Sequence, residues 1–422
     1  MSSPDPRQGW SAQDAERHLL GLERFGMRFG LDRMHRLLNV LELPRVSYPT
    51  IHVVGTNGKS STTRMIAALL EREGLRTGCF TSPHLLSYRE RIEIGEREIA
   101  PERFAAAVAR TVHAAELVDR TASPAGDAVT QFEMLSAAAL VEFEQAGVDV
   151  AVLEAGLGGR YDATNVVDSA VAVLTNVGLE HTRYLGPTVR HIAREKLDVV
   201  RGGATLVVGS GIDPAALELA RETAAARGAT LVLAADTVDV ALRAGGGYQR
   251  HNFAAACAAA TAFLGRELDG AKVADVAATL VVPGRFQVLD GTPVTLLDGA
   301  HNDGGIEALT QSLPAFAAGR RLVVVVSILD DKDAAGMLAQ LLRHADALVA
   351  TACTSPRALP AATLASLVEQ IGGAGVTVVQ EPHRALARAR GLAGVDGVVL
   401  ATGSIYLISD LLRAPGSRGS SL

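Results

Sequence analysis

The segment Ile51-His52-Val53-Val54-Gly55-Thr56-Asn57-Gly58-Lys59-Ser60 limits the fold more than any other stretch of this chain. An apolar run predicts a buried strand. The glycines predict a tight turn, and a helical pattern follows from Ser61 to about Arg72. Small residues in such a turn let backbone N–H groups close around phosphate oxygens. The new helix aims its positive end at the same point, and Lys59 adds a full charge. The turn therefore predicts a nucleoside triphosphate site built from Asn57, Gly58, Lys59, Ser60 and Ser61. It is not a standard Walker A loop, which needs a glycine five residues before Gly58, where Val53 stands. The bland alternative is an ordinary strand–helix turn in which Gly and Asn supply positive φ.

A chain of 422 residues is long for one core, so two domains are expected. Apolar residues make up 48% and aromatics only 4%, a balance that fits an Ala/Val/Leu-rich α/β enzyme. The net charge of −6, with arginines scattered among acids, argues against nucleic-acid binding. Cys79, Cys257 and Cys353 are far apart in apolar segments. They predict small core residues in a reducing compartment rather than a disulfide framework or a zinc site. The polar start, residues 1–8, lacks the pattern of a signal peptide. No apolar stretch reaches the roughly 18–20 uncharged residues of a membrane span. A cytoplasmic protein, with no membrane partner and a frayed Gly/Ser-rich tail at 414–422, is the expectation.

Short β-branched runs alternate with Ala/Leu-rich helical segments. Strands are expected at 52–54, 77–81, 148–153, 171–175 and 205–208. That alternation predicts a mainly parallel sheet covered by helices. Ligands of such sheets bind beyond the carboxyl ends of the strands. The polar punctuation falls there four times: the 55–60 loop, Thr81-Ser82-Pro83-His84, Glu154, and residues 176–181. A Gly/Pro-rich stretch at 282–292 reads as a domain boundary, after which the alternation restarts at 294–297, 322–326, 347–350, 376–379 and 397–400. The expected organisation is an ATP-binding α/β domain over 1–288 with a phosphate loop and a mainly parallel sheet. A smaller, doubly wound α/β domain follows over 289–422.

The strand-end residues suit metal and phosphate chemistry. Glu154 ends an apolar strand opposite the phosphate loop, where a Mg²⁺ ligand belongs; the alternative is a solvent-facing acid. The Ser82 hydroxyl can reach the same metal, or serve only a Ser-Pro turn. His181 ends a fourth strand and reads as a further ligand, though a lone loop histidine is often bland. Lys196 reads on its own as a solvated charge on a helix. In the second half, Asp298-Gly299-Ala300-His301-Asn302 follows a strand and suits ribose and phosphate contacts. Arg285 suits a phosphate, or a linker ion pair. Asn252 suits either a helix N-cap or an adenine contact.

Together these residues resemble the folylpolyglutamate synthase/dihydrofolate synthase family of the Mur ligase superfamily. The resemblance is carried by Gly55-Thr56-Asn57-Gly58-Lys59, Thr81-Ser82-Pro83-His84-Leu85 with Glu90-Arg91-Ile92, residues 154–160 with Asp162-Ala163-Thr164-Asn165, His181 with Leu185-Gly186, Glu195-Lys196, and residues 298–302. Asp331-Lys332-Asp333, Ser355-Pro356-Arg357-Ala358 and Thr402-Gly403-Ser404-Ile405-Tyr406 fit as well. The resemblance implies an ATP-dependent ligase that activates a pteroate or folate carboxylate as an acyl phosphate and joins it to L-glutamate. It implies Mg²⁺, two ions in all, with Ser82, Glu154 and His181 as ligands. Lys196 would be carbamylated and hold the second ion. It places Asn252, Arg285 and Asp298 on ATP, with Lys59, Lys196 and His301 in the catalytic set. It places dihydropteroate on Thr130, Gln131, Phe132, Glu133 and Arg160, with Asp162 as a two-point acceptor for the pterin edge. A monomer is expected.

This chain departs from the family pattern in places. Ser60 follows Lys59 where glycine is usual, which leaves the loop's metal-facing hydroxyl open between Ser60 and Ser61. Leu197-Asp198 follows Lys196 where Ala-Gly is usual. Two other functions compete. A cell-wall Mur ligase usually carries a separate N-terminal UDP-binding domain, and only about 50 residues precede the loop here, too few for a domain of ordinary size. A regulatory nucleotide-binding module would need neither the metal cluster nor Asp298 and His301.

Overall fold

The computed structural model describes residues 9–22, 30–121, 128–373 and 375–416. The expectations for residues 1–8, and for 417–422 of the tail, lie outside the described residues. The chain divides into two compact units, residues 1–239 with 251–276, and residues 240–250 with 277–422.

Among the described residues the first unit holds eight strands: β1 (Thr50–Val54), β2 (Thr77–Phe80), β3 (Ile92–Ile94), β4 (Arg97–Glu98), β5 (Val150–Glu154), β6 (Ser169–Leu174), β7 (Thr205–Val208) and β8 (Thr230–Leu233). Their order across the sheet is β4-β3-β2-β5-β1-β6-β7-β8. Six of them run parallel, from β2 to β8 across the sheet; β3 and β4 extend one edge antiparallel. The central strands are apolar on both faces, as parallel strands under helices must be. Helices Lys59–Arg72, Pro101–Thr121 and Gln131–Ala146 belong to this unit. One core cluster gathers Phe80, Phe104, Leu135, Phe143 and Leu153. Another gathers Leu174, Ile192, Leu197, Leu206 and Val208.

This order sets four neighbouring strands, β2-β5-β1-β6, side by side. Their carboxyl ends carry Ser82, Glu154, the phosphate loop and Asn176. At a strand spacing of about 4.8 Å, the four expected polar clusters stand in one row.

The second unit holds β9 (Gln287–Leu289), β10 (Val294–Leu297), β11 (Leu322–Val326), β12 (Ala347–Ala350), β13 (Val376–Val378) and β14 (Val398–Thr402), in the order β13-β12-β11-β14-β10-β9. All neighbours are parallel except β9, which pairs antiparallel with β10. Its core includes Leu296, Val324, Val326, Leu338, Leu364 and Leu400. The boundary expected after residue 288 falls inside β9. β9 pairs with β10, and the compact unit starts earlier, at residue 277, and takes in 240–250 as well. No helix among the described residues is long and apolar enough to cross a membrane.

Candidate active site

The phosphate loop leaves β1 and turns into helix Lys59–Arg72 at Gly58, whose φ is +81°. A side chain at Gly58 would be strained there, and its Cβ would lie 2.3 Å from Asn252 Oδ1. No side chain caps this helix, so its first amides point outward uncovered, as an anion site requires. The turn after β6 rivets the loop. The Thr56 and Asn57 amides donate to Asn176, at its carbonyl (3.1 Å) and its side-chain oxygen (2.8 Å). Thr175 Oγ1 donates to Asn57 O at 2.7 Å. Thr56 Oγ1 donates to Gly178 O and accepts from Gly178 N. Lys59 curls back to donate to Gly55 O and Thr56 O, both at 3.1 Å.

Glu154, buried at the end of β5, faces this loop. Its Oε1 accepts from Ser60 Oγ at 2.9 Å and its Oε2 from the Ser82 amide at 3.0 Å. Ser60 is therefore the loop hydroxyl on the carboxylate, and Ser61 is buried. A carboxylate and a hydroxyl beside a phosphate loop are hard oxygen donors that fit Mg²⁺, which takes one or two carboxylates and fills the rest with water and phosphate. His181 lies on the turn after β6 with φ +51° and a partly exposed ring. Among the described residues no three His, Cys, Asp or Glu side chains gather as a ready cage. A shell completed by substrate phosphate needs none.

Lys196 is not the solvated charge its helical setting predicts. It is 4% exposed, and Nζ donates to Gly55 O at 2.7 Å. Lys59 uses the same carbonyl. Burial, then the nearby Lys59 charge, holds the Lys196 amine down at about 7, against the opposite pull of Glu180 and Asp162. Asp198, two residues on, is held by Arg227 and Arg160.

The expected substrate residues are mostly engaged with partners elsewhere in the protein. Thr130 caps helix Gln131–Ala146, and Glu133 closes the capping box. Glu133 also pairs with buried Arg33 at 3.0 Å. Gln131 Nε2 donates to Leu19 O and Tyr88 Oη. Half-buried Phe132 is 5.9 Å from the Phe80 ring, and a Cβ on Gly156 would lie 2.6 Å from its own ring. Arg160 pairs with Glu195 and Asp198. Asp162, expected as the pterin acceptor, is buried and already holds the Thr164 amide and hydroxyl and the amides of Leu157 and Gly156. Burial raises its carboxyl above the ordinary range against those four donors.

Asn252 lies in the second turn of helix Gly247–Leu264, so it is no N-cap; it packs on Gly58 instead. In the second unit, buried Asp298 accepts from Tyr248 Oη (2.5 Å), the Phe286 amide and the Ala300 amide. Burial raises its carboxyl, which the Arg285 charge opposes. His301 Nδ1 lies 2.9 Å from Gly299 O, which leaves Nε2 as the outer nitrogen. Sequence reasoning placed Asn176 in the polar cluster after β6 but missed Tyr248 and Thr175 as organisers of the site. Thr175, at the end of the strand expected over 171–175, carried a positional signal; Tyr248 carried none.

A phosphate loop, a facing carboxylate and a second α/β unit define an ATP-dependent ligase of the Mur type. The Mur ligase middle domain model matches residues 53–232, and the Mur ligase, glutamate ligase domain model matches 284–405. The chain belongs to the dihydrofolate synthase/folylpolyglutamate synthase family. It is 32% identical to the Bacillus subtilis enzyme of that name, over 95% of this chain and 98% of the relative. It is 37% identical to the Mycobacterium tuberculosis enzyme, over 79% and 76%. The solved Mycobacterium tuberculosis folylpolyglutamate synthase complexed with ADP superposes with a TM-score of 0.88 at 33% identity, covering 99% of this chain and 100% of that one. A bifunctional folylpolyglutamate synthase/dihydrofolate synthase with Mn, AMPPNP and L-glutamate bound superposes at 0.83 with 29% identity, covering 97% and 99%.

Proposed function

We propose that this chain joins L-glutamate to dihydropteroate, and then to reduced folates, through an acyl phosphate made with ATP. The observation that carries the reading is the Glu154 carboxylate hydrogen-bonded to Ser60 of the phosphate loop, with Lys59 and Lys196 both on Gly55 O. The family to which the chain belongs supports it.

A carboxylate is a poor acyl donor, because its leaving group would be oxide. The substrate carboxylate attacks the γ-phosphorus of ATP, and ADP departs. The glutamate amine then attacks the carbonyl carbon, and phosphate leaves with one of the original carboxylate oxygens. The loop amides and Lys59 hold the phosphates as negative charge shifts toward ADP. Asn252, Arg285 and Asp298 are the further residues proposed for ATP, and His301 is proposed for its phosphates. Ser60, Ser82, Glu154 and His181 would hold one Mg²⁺, and a carbamate on Lys196 a second. These ions supply charge neutralisation on the phosphate oxygens when bound. The Lys196 amine is suited to that modification, since CO₂ adds only to a neutral amine and burial keeps this one from holding its proton tightly.

Phe132 is the ring proposed to lie on the pterin. Thr130, Gln131, Glu133, Arg160 and Asp162 act by holding the helix start and the 156–160 turn in place. A cytoplasmic monomer goes with this reading, to be checked by cell fractionation and light scattering.

The test is ADP release by the purified protein, with dihydropteroate and with a reduced folate, in the presence and absence of glutamate. Product length is read by mass. Glutamate-dependent release with both substrates is expected. Release that needs a UDP-sugar peptide, or that ignores glutamate, would sink the reading.

A further inference from the structure

We infer that His52 and Thr164 are positioning residues that orient the Asp162 carboxylate, and through it the 156–160 turn on which Lys196 is seated. His52 lies within β1, three residues before the phosphate loop, and is wholly buried on a strand that is buried throughout. A valine or leucine would meet every demand of that strand and core. Only one contact needs an imidazole: Nε2 lies 2.7 Å from Thr164 Oγ1.

The neighbouring bonds settle the direction of that contact. Thr164 Oγ1 donates its proton to Asp162 Oδ1 at 2.5 Å. Asp162 takes three backbone amides besides, so it acts as an acceptor throughout. The threonine oxygen must then accept from His52, which fixes the ring as the Nε2–H tautomer. Nδ1 is left as a buried lone pair with no hydrogen-bond partner. Burial and the Arg201 charge hold the ring neutral, down at about 3.

The chain of bonds continues to the machinery. Asp162 holds the Leu157 and Gly156 amides, and so the start of the turn. The turn is pressed on the end of helix Val189–Leu197. The Arg160 amide donates to Glu195 O at 2.9 Å, and a Cβ on Gly159 would lie 2.7 Å from the carbonyls of Glu195 and Lys196. Lys196 then reaches back to Gly55 O, closing a ring of contacts that began on the same strand at His52. A shift of the Asp162 carboxylate is thereby a shift of the Lys196 amine relative to the phosphate loop. Small misplacements of that kind cost rate far more than stability.

The experiment has two readouts. In ¹⁵N-histidine spectra the His52 signal, assigned by its loss in His52→Gln, should report a neutral Nε2–H tautomer that changes in Thr164→Val. An Nδ1–H tautomer, or a signal indifferent to Thr164→Val, overturns the inference. In kinetics, His52→Leu and Thr164→Val should each lower kcat about tenfold or more, with KM for ATP within about twofold of the parent. The double variant should be no worse than either single one. His52→Gln, which keeps a donor near the Nε2 position, and Thr164→Ser should recover most of the loss. Parental kcat in the folded fraction of His52→Leu and Thr164→Val, with only a lower Tm, would reduce the pair to packing. Should His52→Leu fail to fold, Thr164→Val and the tautomer signal decide. The kinetic arm rests on the catalytic reading of Lys196, and Lys196→Met separates the two failures. An active Lys196→Met defeats that reading; an inactive one beside an active His52→Leu defeats this inference.

Discussion

Lys59 and Glu154 sit at loop and strand ends, where side chains change without opening a core cavity. Lys59→Ala and Glu154→Gln should melt within a few degrees of the parent and lose turnover by orders of magnitude. A large drop in Tm, with activity returning on cooling, would make them structural. Lys196 differs, because its buried amine sits at about 7 in the fold against about 10.4 in an unfolded chain. Between those values the unfolded state binds more protons, so the stability of the parent rises with pH from about 7 to about 10.4. Lys196→Met removes that penalty, and Gly55 O keeps its bond from Lys59. In CO₂-free buffer the variant should therefore melt above the parent. The gain should be greatest at or below pH 7 and gone by about pH 10.4, while turnover is lost. A variant that melts lower at pH 7 would refute the burial argument. With the parent, bicarbonate should raise activity if the carbamate forms. At this scale the phosphate loop was legible, because glycine, lysine and the flanking strand speak through local spacing. Tyr248 and the burial of Lys196 were not. They depend on what the tertiary fold brings against them, and the local pattern around Lys196 reads as a solvated helix face.

Two elements frame the expected pterin site, the start of helix Gln131–Ala146 and the 156–160 turn. At the helix start, Glu133 is held by Arg33 and by the capping box, whereas Phe132 holds no polar partner. Glu133→Gln takes that carboxylate from a buried guanidinium, at a cost of about 3 kcal/mol or more in stability. Phe132→Leu should keep most of the stability and raise KM for both pterin substrates, leaving KM for ATP near its parental value. A lowered ATP affinity in Phe132→Leu would move this ring away from the pterin. In the turn, Asp162 is committed to backbone donors, so Asp162→Ala should depress turnover with dihydropteroate and with a reduced folate alike. A loss confined to dihydropteroate would return the carboxylate to direct contact with the pterin. All ten strands expected from β-branched runs are present, to within a residue or two at their ends. The four that were missed, β3, β4, β8 and β9, are short edge or near-edge pieces with polar or half-exposed residues. Pairing with a neighbour makes β3, β4 and β9 strands; β8, Thr-Leu-Val-Leu, carries a β-type run of its own but lies at the sheet edge.

For the whole molecule the decisive question is which bond to the carboxylate oxygen breaks. The parallel order β2-β5-β1-β6 gathers one loop for phosphates and one carboxylate beside it, a constellation for moving a phosphoryl group. If the carboxylate of the pterin substrate is phosphorylated and then displaced by glutamate, one of its oxygens must leave as phosphate. Dihydropteroate labelled with ¹⁸O in its carboxylate should hence deliver one labelled oxygen to inorganic phosphate for every amide formed. ADP, never AMP, should be the other product. The transfer should follow glutamate-dependent turnover in strict proportion. It should vanish in Lys59→Ala, where the phosphates lose their fixed cation, and persist with a reduced folate in place of dihydropteroate. Label released to water instead of phosphate as amide forms, or retained wholly in unreacted acid while ADP is still made, would mean that ATP is cleaved without activating the carboxylate. The phosphate loop and Glu154 would then serve hydrolysis alone.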